Sequence, residues 1–205
     1  MKQIFLGTQI FKAKISDTLV EKINEDMDKK IKTKKSISAV DKLVGKIKNE
    51  YQVKNLKELD KKEEIGKIIQ KCVDETPMSF YTDKKKLIEV KIDEAWINDQ
   101  KENEYQICHI HSGSTFIGYS SILYLEVPDF GKEYTHQEHP MNGRTELIGS
   151  SDGMFAINSY VIHPKVGDFY VFPYDLRHVV YPFVGSGIRR TMSINFDFIF
   201  ENDSI

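Results

Sequence analysis

The sequence predicts an α+β chain in which a helical first part packs on a β-rich second part that folds as a sandwich or jelly-roll barrel. Three observations predict it. Lysines crowd positions 29–91, whereas from Tyr105 onward cations are sparse and Phe, Tyr, Ile and Val abound. At Leu87 the apolar period shifts from helical spacing to alternation. Beyond that point about eight short strands follow one another between Gly, Pro and Asp turns, the pattern of a two-sheet or barrel fold.

The elements follow in order. Ile4 to Ile15 alternates apolar and polar residues around a break at Gly7 and reads as one or two strands. Asp17 is the expected N-cap of a first helix, because Leu19, Val20, Ile23 and Met27 then fall on one face. The polar run Lys29–Lys35 reads as its solvated end. Ala39, Leu43, Ile47 and Tyr51 suggest a second helix, and Ile65, Ile68, Ile69 and Cys72 a third that closes before Pro77. From there the chain reads as strands: 87–92 with 94–98, 105–111, 120–127, 154–163, 168–172, 177–181 and 190–200. The stretch Gly131–Gly153, rich in Gly, Pro, Asn and His, reads as a long connection or substrate loop. No internal repeat and no Pro- or Ser-rich linker interrupts the chain. Residues 1–86 are therefore expected to support a barrel core at 87–205 within a single structural unit.

Composition excludes several classes. With 29 Lys and Arg against 31 Asp and Glu, the net charge of −2 gives no argument for nucleic acid or acidic membranes as partners. Two cysteines, Cys72 and Cys108, are too few for a disulfide framework and form no Cys-x-x-Cys pair. The N-terminal residues lack the apolar block of a signal peptide, and no run is long enough to span a bilayer. A cytoplasmic protein is expected. The helical layer offers a surface for a homodimer.

The chemistry resides in His109-Ile110-His111, His178 and Arg189. Residues i and i+2 of a strand point to one face, so His109 and His111 reach one metal if Ile110 packs into the opposite layer. His178 would supply a third ligand. Three ligands on one face of an ion leave positions open, as non-haem iron chemistry requires. Arg189, Thr191, Ser193 and Asn195 alternate onto one face of the closing strand. A buried guanidinium there needs an anion, because desolvating it alone costs several kcal/mol. The carboxylate of a bound oxo acid would pair with it in a two-pronged contact. Arg190 should point the other way and read as a surface charge.

At this point the residues resemble a known family. Ala95-Trp96-Ile97-Asn98, Asn103-Glu104-Tyr105, His109-Ile110-His111-Ser112-Gly113, Leu123-Tyr124-Leu125-Glu126-Val127-Pro128, the run from Phe172-Pro173 to His178, Tyr181-Pro182-Phe183 and Arg189–Asn195 stand in an order and spacing similar to those of the 2-oxoglutarate and iron(II)-dependent oxygenases common in bacteriophages, relatives of the prolyl hydroxylases. The resemblance covers roughly residues 87–198. It implies a double-stranded β-helix (jelly-roll, cupin-like) core, Fe(II), 2-oxoglutarate and O2 as cofactor and cosubstrates, and hydroxylation of an unreactive C–H bond. A protein side chain such as proline is the favoured substrate, and a host cytoplasm the setting if the chain is phage-encoded. It also places Tyr124 within reach of the cosubstrate carboxylate, beside Arg189, Thr191 and Ser193.

One departure matters. Prolyl hydroxylases usually present His-x-Asp, and this chain presents His-x-His. A third neutral ligand leaves the metal more positive by one unit, unless Asp175 or another carboxylate serves instead. Two other readings stand beside the oxygenase: a three-histidine cupin-type dioxygenase that uses no oxo acid, and a non-catalytic accessory barrel in which the histidines form a hydrogen-bonded polar core. His163 reads as an ordinary loop or core residue, and His136 and His139 sit in loop composition beside Pro140. Trp96, Phe169, Phe172, Tyr181 and Phe183 read as core, and Asp168 as serving the turn after Gly167.

Overall fold

Two antiparallel sheets form the β part of the computed structural model, which describes residues 7–33, 35–38, 45–54, 63–76, 87–130, 141–150, 153–154 and 156–201. The larger sheet runs in the order β1 (Phe11–Lys14), β9 (Asp168–Pro173), β6 (Gly118–Glu126), β11 (Arg189–Phe200), β4 (Leu87–Gln100), β3 (Glu50–Gln52) and β2 (Ile37–Ser38). The smaller runs β5 (Gln106–His109), β10 (Arg177–Val180), β7 (Thr145–Ile148), β8 (Ser159–Ile162). The two helices among the described residues are α1 (Asp17–Lys32) and α2 (Glu64–Asp74).

Period-two alternation divides the larger sheet into two faces. Leu123 and Leu125 of β6, Phe169 and Val171 of β9, and Met192, Ile194, Phe196, Phe198 and Phe200 of β11 join one apolar cluster, which also takes in Val20 and Met27 of α1 and Ile65, Ile69, Cys72 and Val73 of α2. From the opposite face, Ile122 and Tyr124 of β6 and Tyr170 and Phe172 of β9 meet Leu147 of β7 and Ile162 of β8, which joins the two sheets. The inner face of β11 is polar from Arg189 to Asp197: Arg189, Thr191, Ser193, Asn195 and Asp197 are all buried. A polar row in such a position must be matched by hydrogen bonds or by a ligand. Gly167 closes the turn before β9 at φ +80°, a conformation that costs an L side chain roughly 1–2 kcal/mol.

Several expectations are corrected. Asp17 is the first helical residue, and Ser16, with extended backbone, holds the N-cap position without a capping bond from its side chain, its hydroxyl donating instead to Glu64 of α2 at 2.7 Å. The strand in the N-terminal region spans only Phe11–Lys14, and residues 1–6 lie outside the described residues. Of the four residues expected to make the second helix, Ala39 and Leu43 lie outside the described residues, while Ile47 precedes β3 and Tyr51 sits within it. Pairing of Glu50–Gln52 with Trp96–Asn98 overrides the helical spacing there. The stretch read as a long connection contains β7, which lies between β10 and β8. Arg190 is no surface charge. It is 4% exposed, and its guanidinium makes a two-pronged pair with Asp99 (2.6 and 2.8 Å) and reaches Asp28 of α1 at 2.7 Å. Asp168 forms an ion pair with Lys12 of β1 at 2.8 Å. Among the described residues no helix is long and apolar enough to cross a membrane.

Candidate functional site

Strands β5 and β10 pair so that His109 and His178 lie directly opposite each other. His111 follows two residues later, just beyond the end of β5, and the three rings cluster so that one ligand atom from each lies within 4.8 Å of the others. Ile110 does not pack into an opposite layer. It is exposed, and β5 ends one residue before it, at His109.

Tautomers follow from the partners. His109 Nδ1 donates to the carbonyl of Ile107 at 2.6 Å and His178 Nδ1 to that of Leu176 at 3.1 Å. A carbonyl only accepts, so in both rings Nδ1 carries the proton and Nε2 keeps its lone pair. Burial lowers the pKa of His109, despite the opposing bond to Ile107. It holds His111 well below the usual histidine range, helped by the neighbouring His178 and His109. His178 is pushed down to about 4 by burial and by His109. All three are therefore neutral at pH 7, the form that ligates a metal. His111 Nε2 and His178 Nε2 are 3.1 Å apart. Two nitrogens that each bind one divalent ion at ~2.1 Å lie at most ~4.2 Å apart, so this pair is close enough to share such an ion.

The histidines line one cavity with Trp96, Asn98, Gln106, Ile122, Val180, Arg189, Thr191 and Ser193. Arg189 is 2% exposed. Its Nη1 donates to Gln100 Oε1 at 2.7 Å, and its Nη2 to Thr145 Oγ1 at 2.7 Å and to the Tyr124 hydroxyl at 3.2 Å. The guanidinium also stands 5.1 Å from the centre of the Tyr124 ring. Its Nε is buried without a partner, and among the described residues no carboxylate pairs with it. An uncompensated buried cation beside a metal-competent histidine cluster is suited to an anion that also reaches the metal.

Each expected site residue has a definite place. His109, His111, His178, Arg189, Thr191 and Ser193 share the cavity, and Tyr124 stands behind it, bonded to Arg189 and, through its own O–H, to Thr145 at 3.1 Å. Asp175 is exposed and lies outside the three-residue cluster. His136 and His139 lie outside the described residues, and His163 is exposed. Trp96 is a cavity wall rather than core, its ring 5.6 Å from that of His111. Of the aromatic residues read as core with it, Phe169, Phe172 and Phe183 are buried, whereas Tyr181 is partly exposed and donates to Glu146 at 2.7 Å. Thr145 and Gln100, which hold Arg189, escaped the sequence reading. Gln100 is the register partner of Arg189 on β4, a relation that only the strand pairing reveals.

Comparison with known proteins gives concordant findings. A family model described as "Putative 2OG-Fe(II) oxygenase" matches residues 94–196. No curated protein matches the chain by sequence. Solved structures share the fold at low identity. A Pseudomonas putida prolyl-4-hydroxylase gives a TM-score of 0.58 at 13% identity, over 93% of this chain and 92% of that one. A Trichoplax adhaerens prolyl hydroxylase in complex with a hypoxia inducible factor peptide fragment gives 0.55 at 12% identity, over 91% and 82%. HygX from Streptomyces hygroscopicus with nickel and 2-oxoglutarate bound gives 0.53 at 9% identity, over 92% and 82%.

Proposed function

Since the chain belongs to the 2OG-Fe(II) oxygenase family, we propose that its cavity binds iron through His109, His111 and His178 and 2-oxoglutarate through Arg189, and that it hydroxylates a substrate C–H bond. The observation that carries this reading is Arg189: a buried cation with an orphan Nε and no carboxylate partner among the described residues, in the same cavity as three neutral imidazoles. Fe(II) with 2-oxoglutarate and O2 supplies oxidative decarboxylation of the oxo acid to succinate and carbon dioxide, coupled to insertion of one oxygen atom into the substrate.

The chain's own groups set the stage for that chemistry. The carbonyls of Ile107 and Leu176 fix the rings of His109 and His178 with their Nε2 atoms free to ligate. Arg189 takes the distal carboxylate. Tyr124 and Thr145 hold its Nη2 and Gln100 its Nη1, so the cation is oriented before the anion arrives. Thr191 and Ser193 continue the same inner face of β11 and offer hydroxyls along the cosubstrate. Trp96 walls the cavity beside His111.

In fold terms we read the two sheets as the double-stranded β-helix of these enzymes, with α1 and α2 as a supporting helical layer. The pairing of β1 with β9 and of β3 with β4 supports treating 1–86 and 87–205 as one unit. Prolyl hydroxylases among the structural neighbours, one crystallised with a peptide, favour a protein side chain such as proline as substrate. Family membership favours this reading over an oxo-acid-free dioxygenase and over an inert barrel. The test is Arg189→Ala. It should weaken 2-oxoglutarate binding by at least about 30-fold, the effect of about 2 kcal/mol lost from a buried charge pair, while leaving Fe(II) uptake intact. Unchanged 2-oxoglutarate affinity in that variant would remove Arg189 from the site.

A further inference from the structure

Two of the three histidines are steered by a backbone carbonyl, and among the described residues the third has no such partner. His109 and His178 each spend Nδ1 on a backbone carbonyl two residues back. Among the described residues no such bond is found for His111 Nδ1, and His111 lies beyond the end of β5, outside the strand pairing that fixes the other two. A ligand on irregular backbone needs that backbone held by other means.

The structure provides an anchor at the far end of the inner face of β11. Asp197, 1% exposed, accepts the backbone N–H of Ser114 at 3.0 Å on Oδ2 and the hydroxyl of Tyr174 at 3.0 Å on Oδ1. Tyr174 in turn uses its backbone carbonyl to accept the N–H of His111 itself at 2.9 Å. Asn195, one step nearer the cavity, donates to the carbonyl of Ser112 at 3.4 Å. Between β4 and β11 the register slips so that Asn195 faces Glu94 and Phe196 faces Ile92. The extra residue, Asp93, takes the Ser114 hydroxyl at 2.7 Å. Gly113 passes so close that a Cβ there would lie 1.9 Å from Asp197 Oδ1 and 2.8 Å from the Tyr174 hydroxyl. Only a residue without a side chain lets the segment settle onto the carboxylate.

Resting on the reading of His111 as a ligand, we propose that Asp197 is a positioning residue for that ligand: its carboxylate does not bind the metal but clamps the segment 112–114 and Tyr174, which together hold His111 in reach of it. What the clamp requires is a hydrogen bond to each of these two partners rather than charge. An asparagine at 197 can present its oxygen to the Ser114 N–H and its amide N–H to the Tyr174 oxygen, whereas an alanine can do neither.

Co(II) titration under anaerobic conditions, followed by the visible spectrum at saturation, tests this on the full chain. The spectrum reports ligand number and geometry independently of turnover. Asp197→Ala should raise the Co(II) dissociation constant by roughly 10–100-fold and alter the saturated spectrum, and Asp197→Asn should restore both. Gly113→Ala, a change in a partly exposed segment, should displace the carboxylate, weaken Co(II) binding and alter the saturated spectrum relative to wild type, so the test stands even if Asp197→Ala fails to fold. If folded Asp197→Ala or Gly113→Ala binds Co(II) with wild-type affinity and spectrum, the assignment is overturned and the metal reading stands. If the wild-type chain takes up no Co(II), the metal reading falls and the assignment falls with it.

Discussion

Arg189 and Arg190 are neighbours on β11, 2% and 4% exposed, and the same substitution should affect them in opposite ways. Arg190 points to the helix-facing side, where Asp99, itself 4% exposed, meets it with both oxygens. Arg190→Met leaves that carboxylate buried without its partner, which costs about 3–5 kcal/mol. Among the described residues Arg189 has no carboxylate to abandon. Arg189→Met deprives Gln100 Oε1 of a donor, at about 1–3 kcal/mol, but it also removes an uncompensated buried cation whose desolvation costs several kcal/mol. Tyr124 and Thr145 keep their mutual bond at 3.1 Å. Arg189→Met should therefore leave the stability of the metal-free protein near or above that of wild type while abolishing 2-oxoglutarate binding. Urea denaturation followed by circular dichroism measures both. With an m-value of about 2 kcal/mol/M, the Arg190→Met midpoint should fall by roughly 2 M and the Arg189→Met midpoint should hold. Equal losses in the two variants would refute the claim that Arg189 carries a charge the folded protein leaves unpaired.

Two more outcomes are expected. Trp96, the sole tryptophan, stands 5.6 Å from the His111 ring, so Co(II) should quench its fluorescence in a titration that saturates at one equivalent, and an unchanged emission would place the metal elsewhere. Cys108 is exposed, whereas Cys72 is buried and burial pushes its thiol up to about 11. A thiol reagent at pH 8 should modify one cysteine in the native protein and two in urea. Because the folded pKa of Cys72 exceeds that of an exposed thiol, its contribution to stability is intact below the unfolded pKa and is lost as pH rises through about 11.

Legibility in the sequence tracked how locally each feature is encoded. The strands at 87–100, 168–173 and 189–200 are readable because each sets apolar residues on one face against a different environment on the other, and α2 is readable because Ile65, Ile69, Cys72 and Val73 share one buried face. Tyr51 misled because its helical spacing from Ile47 competes with a strand pairing to residues near Trp96, far along the chain. Strand β7 is four residues long and lies in a segment whose composition signals turns. His109, His111, His178 and Arg189 stood out by residue type and alternation. Their supports did not, since Thr145, Gln100 and Asp197 become visible only once strand order brings them to the cavity or to the loop beside it. Arg190 was misjudged for the same reason: alternation gives its direction, but only the packing of α1 over that face reveals that it is buried.

The most direct test of the central claim is anaerobic titration of the metal-free protein with Fe(II) and then 2-oxoglutarate, watched for the weak visible charge-transfer band of a chelated oxo acid. The account predicts that the band grows to one equivalent in wild type and is lost in His178→Ala. Iron uptake without the band would contradict the cosubstrate assignment, and a band of wild-type strength in His178→Ala would contradict the ligand set.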